Sequence, residues 1–320
     1  MPSFVKTAGL VAGLIAAASA LPAAPKLNSE QMKFYEYSKR QNAAAAALGL
    51  TDVDILQFAL TLEWLESSFY QQGFAQFPAS DFTALGLTQQ QVTDLLGVGT
   101  SEQSHVALLQ SSIAQAGVKP VEPCTYNFGF TDAKSMVATA GVLENIGVSA
   151  YLGGGPLISS GSILSTAASI LTVEARHQTF VRVATAAAAA PGAFDTALSP
   201  KQVFSLAAPF ITSCPDGSNL ILTAFPTLTM AGGAQAVAAV GQTINLESSA
   251  AADAQFCAFT NGNIVGGTAF SAFTSGQGCT IPGEGELAGI VYVNLVNQAP
   301  LTGVITDDII VAGPMVLQIS

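Results

Sequence analysis

A chain of 320 residues with 50% apolar and only 10% charged side chains can build a sizeable core, divides most naturally into two domains, and is too apolar for extended disorder in its body. Its net charge of −11, with ten basic residues of which only Lys39 and Arg40 are adjacent, leaves no basic stripe to release counterions from a phosphate backbone, so nucleic acid is not an expected partner. An acidic surface of this kind favours solubility and draws cations weakly.

The N-terminus has a charged end at Lys6, an apolar stretch over residues 8–18 and small residues Ala18-Ser19-Ala20. This three-part pattern predicts a signal peptide over residues 1–20, hence a secreted, extracellular or cell-wall protein. The stretch is too short to span a membrane. Later segments are interrupted by Gly, Pro or polar residues, and no membrane insertion is expected. Residues 21–50 form a polar, then Ala-rich lead-in, in which Lys39-Arg40 reads either as a dibasic processing site or as two solvated charges.

Residues 51–212 read as a helical domain. Thr51-Asp52-Val53-Asp54 supplies capping oxygens ahead of Ile55, Phe58, Ala59, Leu62 and Leu65 at helical spacing, with Gly73 as the expected stop. A short helical turn over 88–96 is expected next, then a long helix over 100–116 carrying Val106, Leu109 and Ile113 and ending at Gly117. Residues 120–130 form an extended crossover. A third long helix starts at Thr131-Asp132, carries Met136, Val137, Ala140, Leu143 and Ile146, and stops at Gly153-Gly154-Gly155-Pro156. The fourth is expected over 161–189, and Ser199-Pro200 opens a short fifth that reaches about residue 210.

Beyond Cys214, over residues 213–320, short alternating or apolar runs at 219–223, 242–246, 256–259, 269–273, 290–296 and 309–311 are separated by Gly, Pro and Asn. They predict a β-sandwich-like domain with Greek-key connections, whose last strands Gly313-Pro314 interrupts. The fold class is thus α+β, a helical bundle followed by a β domain. Four cysteines in a secreted chain suit two disulfides, and nearest-in-domain pairing favours Cys124 with Cys214 and Cys257 with Cys279. No Asn-x-Ser/Thr sequon occurs.

The chain has two histidines, and each follows a glutamate by three residues, in Glu102-Gln103-Ser104-His105 and Glu174-Ala175-Arg176-His177. On a helix, residues three apart share a face, so each pair aims a carboxylate and an imidazole at one spot. The other two long helices each carry an interior glutamate, Glu63 and Glu144, followed seven residues later by Tyr70 and Tyr151. Two turns place each phenol on its glutamate's face, within reach of a ligand on a neighbouring helix. Glu66, one turn from Glu63, can replace or supplement it. Arg176 reads as a carboxylate partner or a surface charge, and Trp64 and Phe69 as core packing.

This pattern resembles the ferritin-like di-iron and di-manganese carboxylate family, in which two helices give one Glu each and two give Glu-x-x-His. More narrowly, Leu62-Glu63-Trp64-Leu65-Glu66, Leu143-Glu144-Asn145 and the closing stretch from Thr306-Asp307-Asp308 to Ala312-Gly313-Pro314 resemble fungal secreted ferritin-like proteins of the stress-response Rds and late-sexual-development type. Plant desiccation-related proteins are more distantly similar. The resemblance implies two iron or manganese ions held by Glu63, Glu102, His105, Glu144, Glu174 and His177, with Glu102 and Glu174 bridging and Glu63 and Glu144 terminal.

Two functions follow as expectations: an oxidoreductase acting on peroxide or oxygen in stress or development, or a non-catalytic cell-surface or cell-wall protein with a structural or vestigial metal site. Iron storage fits less well, since an appended domain hinders packing into a shell. The plainer alternative is a bundle that keeps these residues as buried ion pairs without metal.

Overall fold

The computed structural model describes residues 50–218, 222–233, 237–283 and 287–319. The expected signal peptide, the lead-in with Lys39-Arg40 and most of the strand expected at 219–223 lie outside the described residues. Leu222 and Thr223, at the end of that run, have irregular backbone.

Helix α1 is Asp52–Gln76. Thr51 and Asp54 form a capping box at its start, each side chain accepting a backbone N–H of the other. The helix passes the expected stop at Gly73 and ends instead before Phe77-Pro78, since a residue ahead of proline is disfavoured in helical backbone. A short α2, Ala79–Ala84, leads into α3, Gln89–Gln115. Here the sequence expectation of two separate helices fails. Gly97 and Gly99 do not break α3, because packing holds it: a Cβ on Gly99 would stand 2.9 Å from the Cβ of Tyr70 in α1, so that glycine permits close approach of two helices.

The crossover after α3 contains strand β1, Thr125–Tyr126, and leads to α4, Ala133–Gly154, then α5, Gly161–Ala184. Helix α5 ends five residues before the expected Ala189. Ala186 takes φ 61°, the Ala187 N–H reaches the Arg182 carbonyl at 2.8 Å and the Ala186 N–H reaches that of Val183 at 3.1 Å. These bonds form a Schellman stop with Ala where glycine is usual, and they outweigh the helix propensity of the Ala run. The short α6, Pro200–Ala207, is capped by Ser199. Helices α1 with α3 and α4 with α5 make the most extensive pairings, so the bundle consists of two hairpins joined by the crossover. Cys124 and Cys214 form a disulfide next to the pairing of β1 with β2, Ile211–Ser213.

The remaining chain is β-rich. The strands are β3 (Thr229–Met230), β4 (Val237–Ala238), β5 (Thr243–Ile244), β6 (Leu246–Glu247), β7 (Phe256–Thr260), β8 (Thr268–Ala272), β9 (Cys279–Thr280), β10 (Gly289–Val296) and β11 (Ile310–Ile319). Five form one sheet in the order β4-β11-β10-β7-β8, antiparallel except for β4 against β11, while β3-β6 and β5-β9 are two-stranded ribbons. The strand expected at 242–246 is divided at Asn245 between the two ribbons. Gly313-Pro314 does not end the last strand. The pair lies inside β11 as a cis peptide, where the register with β10 shifts between Val293 and Leu295, and a proline is tolerated where ladder bonding is already interrupted.

Every residue of β10 is buried, because the sheet is covered on both faces. Ile290 and Tyr292 join the core of the bundle, whereas Val291, Val293 and Leu295 point into a second core with Leu228, Ile244 and Ile281. Cys257 and Cys279 are disulfide-bonded within that second core.

Candidate metal centre

Each of the four long helices contributes to one buried cluster. Glu63 comes from α1, Glu102 and His105 from α3, Glu144 from α4, and Glu174 and His177 from α5. The carboxylates are at most 1% exposed and the two histidines 8%, so the cluster is sealed inside the bundle. The six residues singled out by helical spacing are therefore in one place.

Their contacts divide them into two overlapping groups. His105 Nδ1 lies 3.3 Å from Glu63, 3.1 Å from Glu102 and 3.2 Å from Glu174. His177 Nδ1 lies 2.8 Å from Glu102 and 3.3 Å from Glu144. Potential ligand atoms of Glu63, Glu102, His105 and Glu174 lie within 4.8 Å of one another, and so do those of Glu102, Glu144, Glu174 and His177. Glu102 and Glu174 belong to both groups. The imidazole rings face each other with centroids 6.1 Å apart.

The tyrosines complete a reciprocal arrangement. Tyr70 of α1 donates to Glu144 of α4, and Tyr151 of α4 donates to Glu63 of α1, both at 2.5 Å. Each phenol thus fixes the outer carboxylate of the opposite hairpin. Glu66 is also buried, near Glu174. A Cβ on Gly147 would stand 2.9 Å from Glu66 and 2.7 Å from Glu174, so this glycine makes room for both carboxyl groups. Glu66 belongs to neither four-residue group.

Burial pushes the Glu63 carboxyl up to about 7, and burial with neighbouring carboxylates raises Glu174 and Glu66 well above the ordinary range. Glu102 moves the other way. Burial alone would raise it, but the hydrogen bond from His105 and the close ion-pair contact with His177 bring it down to about 2. Glu102 is therefore the persistent anion around which the metal-free cluster is organised.

Arg176 is exposed, as a surface charge rather than a buried carboxylate partner. Trp64 is half-buried, and its indole N–H donates to the Val121 carbonyl of the crossover at 3.1 Å. Two residues of the surroundings carry no mark of their role in the sequence. Asn145, beside Glu144, accepts from Tyr292 of β10 at 2.7 Å, and Ser149 lies 3.0 Å from the same hydroxyl. The position of Asn145 after Glu144 was visible, but its partner is 147 residues away and no local pattern marks it.

Residues 51–187 match the family model described as a ferritin-like domain. The helical part of this chain is a ferritin-like domain. It is also similar to Protein rds1 of Schizosaccharomyces pombe, with 25% identity over 178 residues, 55% of this chain and 44% of that relative. The chain thus matches less than half the length of this curated relative. The architecture is a helical ferritin-like region followed by a β-rich region, and the buried carboxylates and histidines of the ferritin-like domain can hold metal ions. No helix of the described residues is long and apolar enough to cross a membrane.

Proposed function

We propose that the ferritin-like domain binds two iron or manganese ions, one between Glu63 and His105, one between Glu144 and His177, with Glu102 and Glu174 shared by both. The observation that carries this reading is the crowding at His105. One ring nitrogen lies within 3.3 Å of three carboxylates, yet it can offer a single proton to only one of them at a time. Oxygens of Glu63, Glu102, Glu144 and Glu174 are buried without a hydrogen-bond partner. His177 Nδ1 is equally unsatisfied, since its 2.8 Å contact with Glu102 is an ion-pair distance without hydrogen-bond alignment. Cations between these groups would satisfy all of them, and mixed oxygen and imidazole donors suit iron and manganese.

Four carboxylates against two dications balance the buried charge. When bound, such ions supply Lewis-acid and redox chemistry toward peroxide or oxygen. The protein's part is to hold the carboxylates through Tyr70 and Tyr151 and to exclude bulk water. An apolar cavity of about 40 Å³ is lined by Leu62, Ala150 and Ile163 with Glu66 and with Tyr151, the phenol that holds Glu63. Two disulfides fit action outside the cell, and a role in stress or development follows from the resemblance. The closure of the cluster favours a second reading, a structural metal site without turnover.

Elemental analysis of protein secreted by its native host should find two metal equivalents, and peroxide-decomposition and ferrous-oxidation assays separate the two readings. The double variant His105→Ala with His177→Ala should lose bound metal. Unchanged metal content in that variant would overturn the site.

A further inference from the structure

A second cavity lies away from the metal centre, where α4 and α5 meet the edge of the five-stranded sheet. It is an open groove of about 520 Å³ with aliphatic walls from Leu87, Val137, Val142, Val181 and Ile290. Two basic residues, Lys134 and Arg182, line it, in a chain that has only ten and a net charge of −11. Lys134 is exposed. Arg182 is only 7% exposed.

The guanidinium of Arg182 is half-used. Its Nε donates to the Ala188 carbonyl at 2.6 Å. Its two Nη groups have no hydrogen-bond acceptor and no carboxylate within 4 Å among the described residues. Asp195 attracts it only at longer range. A buried cation without a paired anion is costly, and planar Nη donors match a carboxylate fork. The groove thus combines an apolar trough with a single partly desolvated, underpaired positive charge.

We propose that this groove binds an amphipathic monocarboxylate of the fatty-acid type, with its carboxylate on the Nη groups of Arg182 and its alkyl chain along Val137, Val142 and Val181. One buried guanidinium balances one negative charge, which favours a carboxylate over a dianionic phosphate. Exposed Lys134 adds attraction at the mouth. The proposal is independent of the metal centre and of its chemistry.

The test is calorimetric titration of the full chain with laurate below its micellar concentration, beside dodecanol of the same chain length. Laurate should saturate at one equivalent, and dodecanol should bind at least about tenfold more weakly, since it lacks the charge-assisted bond. Ala138 lies exposed on the groove wall, so Ala138→Trp should block the trough and cost at least about tenfold in laurate affinity, with the melting temperature unchanged. Arg182→Gln should produce a similar loss. If that variant fails to fold, the headgroup comparison and Ala138→Trp decide the matter alone. Absence of saturable laurate binding, equal affinity for laurate and dodecanol, or undiminished binding by Ala138→Trp each overturns the proposal.

Discussion

In the metal-free cluster His105 carries a proton. Burial opposes charge on its ring, but the carboxylates of Glu102, Glu174 and Glu63 packed against it raise its pKa to about 12. His177 follows the same logic with Glu102 and Glu144 and reaches about 9. Both values exceed the ordinary imidazole range of about 6.5. The stabilisation they confer is therefore fully present below about pH 6.5 and is lost as pH rises through about 9 and then 12. Metal reverses this dependence, because an imidazole must be neutral to coordinate. Loading at pH 7 should release at least two protons, one from each histidine, and affinity should rise with pH through the neutral range. Calorimetry in two buffers of different ionisation enthalpy measures the release directly, and loading without proton release would contradict the assignment of both histidines as ligands. Much of this was legible in the chain, since the spacing of Glu102 to His105 and of Glu174 to His177 forces each pair onto one helix face. The mutual register of the four helices was not, because it depends on contacts between residues far apart in sequence.

Helix α4 shows how an element serves the centre through what it omits. At Gly147 the absent side chain leaves space that Glu66 and Glu174 occupy, and α4 can then lie close to α1 and α5. Gly147→Ala adds a methyl at 2.7 Å from a Glu174 oxygen, so that carboxylate must leave its shared position or the helices must part. The expected result is a loss of metal affinity of tenfold or more, with a stability cost of about 1–3 kcal/mol from overpacking. Competition with a chelator and thermal unfolding measure the two effects separately, and wild-type affinity would show that the glycine is not needed for ligand placement. Element boundaries were less legible than element faces for a related reason. Gly97 and Gly99 look like a break until Tyr70 of α1 is seen packed against Gly99. The Ala run after Arg182 looks helical until the left-handed Ala186 ends the helix. Gly313-Pro314 looks like a strand terminus, yet β11 continues because β10 supports it on both sides of the irregularity. For Gly99 and for Gly313-Pro314 the deciding partner lies on another element, for Ala186 it is the backbone of the helix end itself, and in all three composition alone favoured the wrong outcome.

Across the whole molecule, β10 connects the two halves of the chain through a hydrogen bond as well as through packing. Tyr292 is fully buried, and its hydroxyl donates to Asn145 at 2.7 Å and lies 3.0 Å from Ser149, both on α4 and one and five residues after Glu144. Tyr292→Phe keeps the ring and its packing but removes the donor to the Asn145 amide oxygen, and Asn145 is only 8% exposed. A buried acceptor left unpaired costs about 1–3 kcal/mol. Because the bond joins sheet to bundle, the loss should be shared by both. The single tryptophan, Trp64, lies in α1 and reports on the bundle through its fluorescence, while amide protection of Val291, Val293 and Leu295 reports on the sheet by hydrogen exchange. If the two halves unfold as one cooperative unit, Tyr292→Phe lowers the stability seen by both probes by the same amount. A shift confined to the sheet amides, with the Trp64 transition unmoved, would mean that the bundle is stable by itself and that the sheet rests on α4 without supporting the position of Glu144.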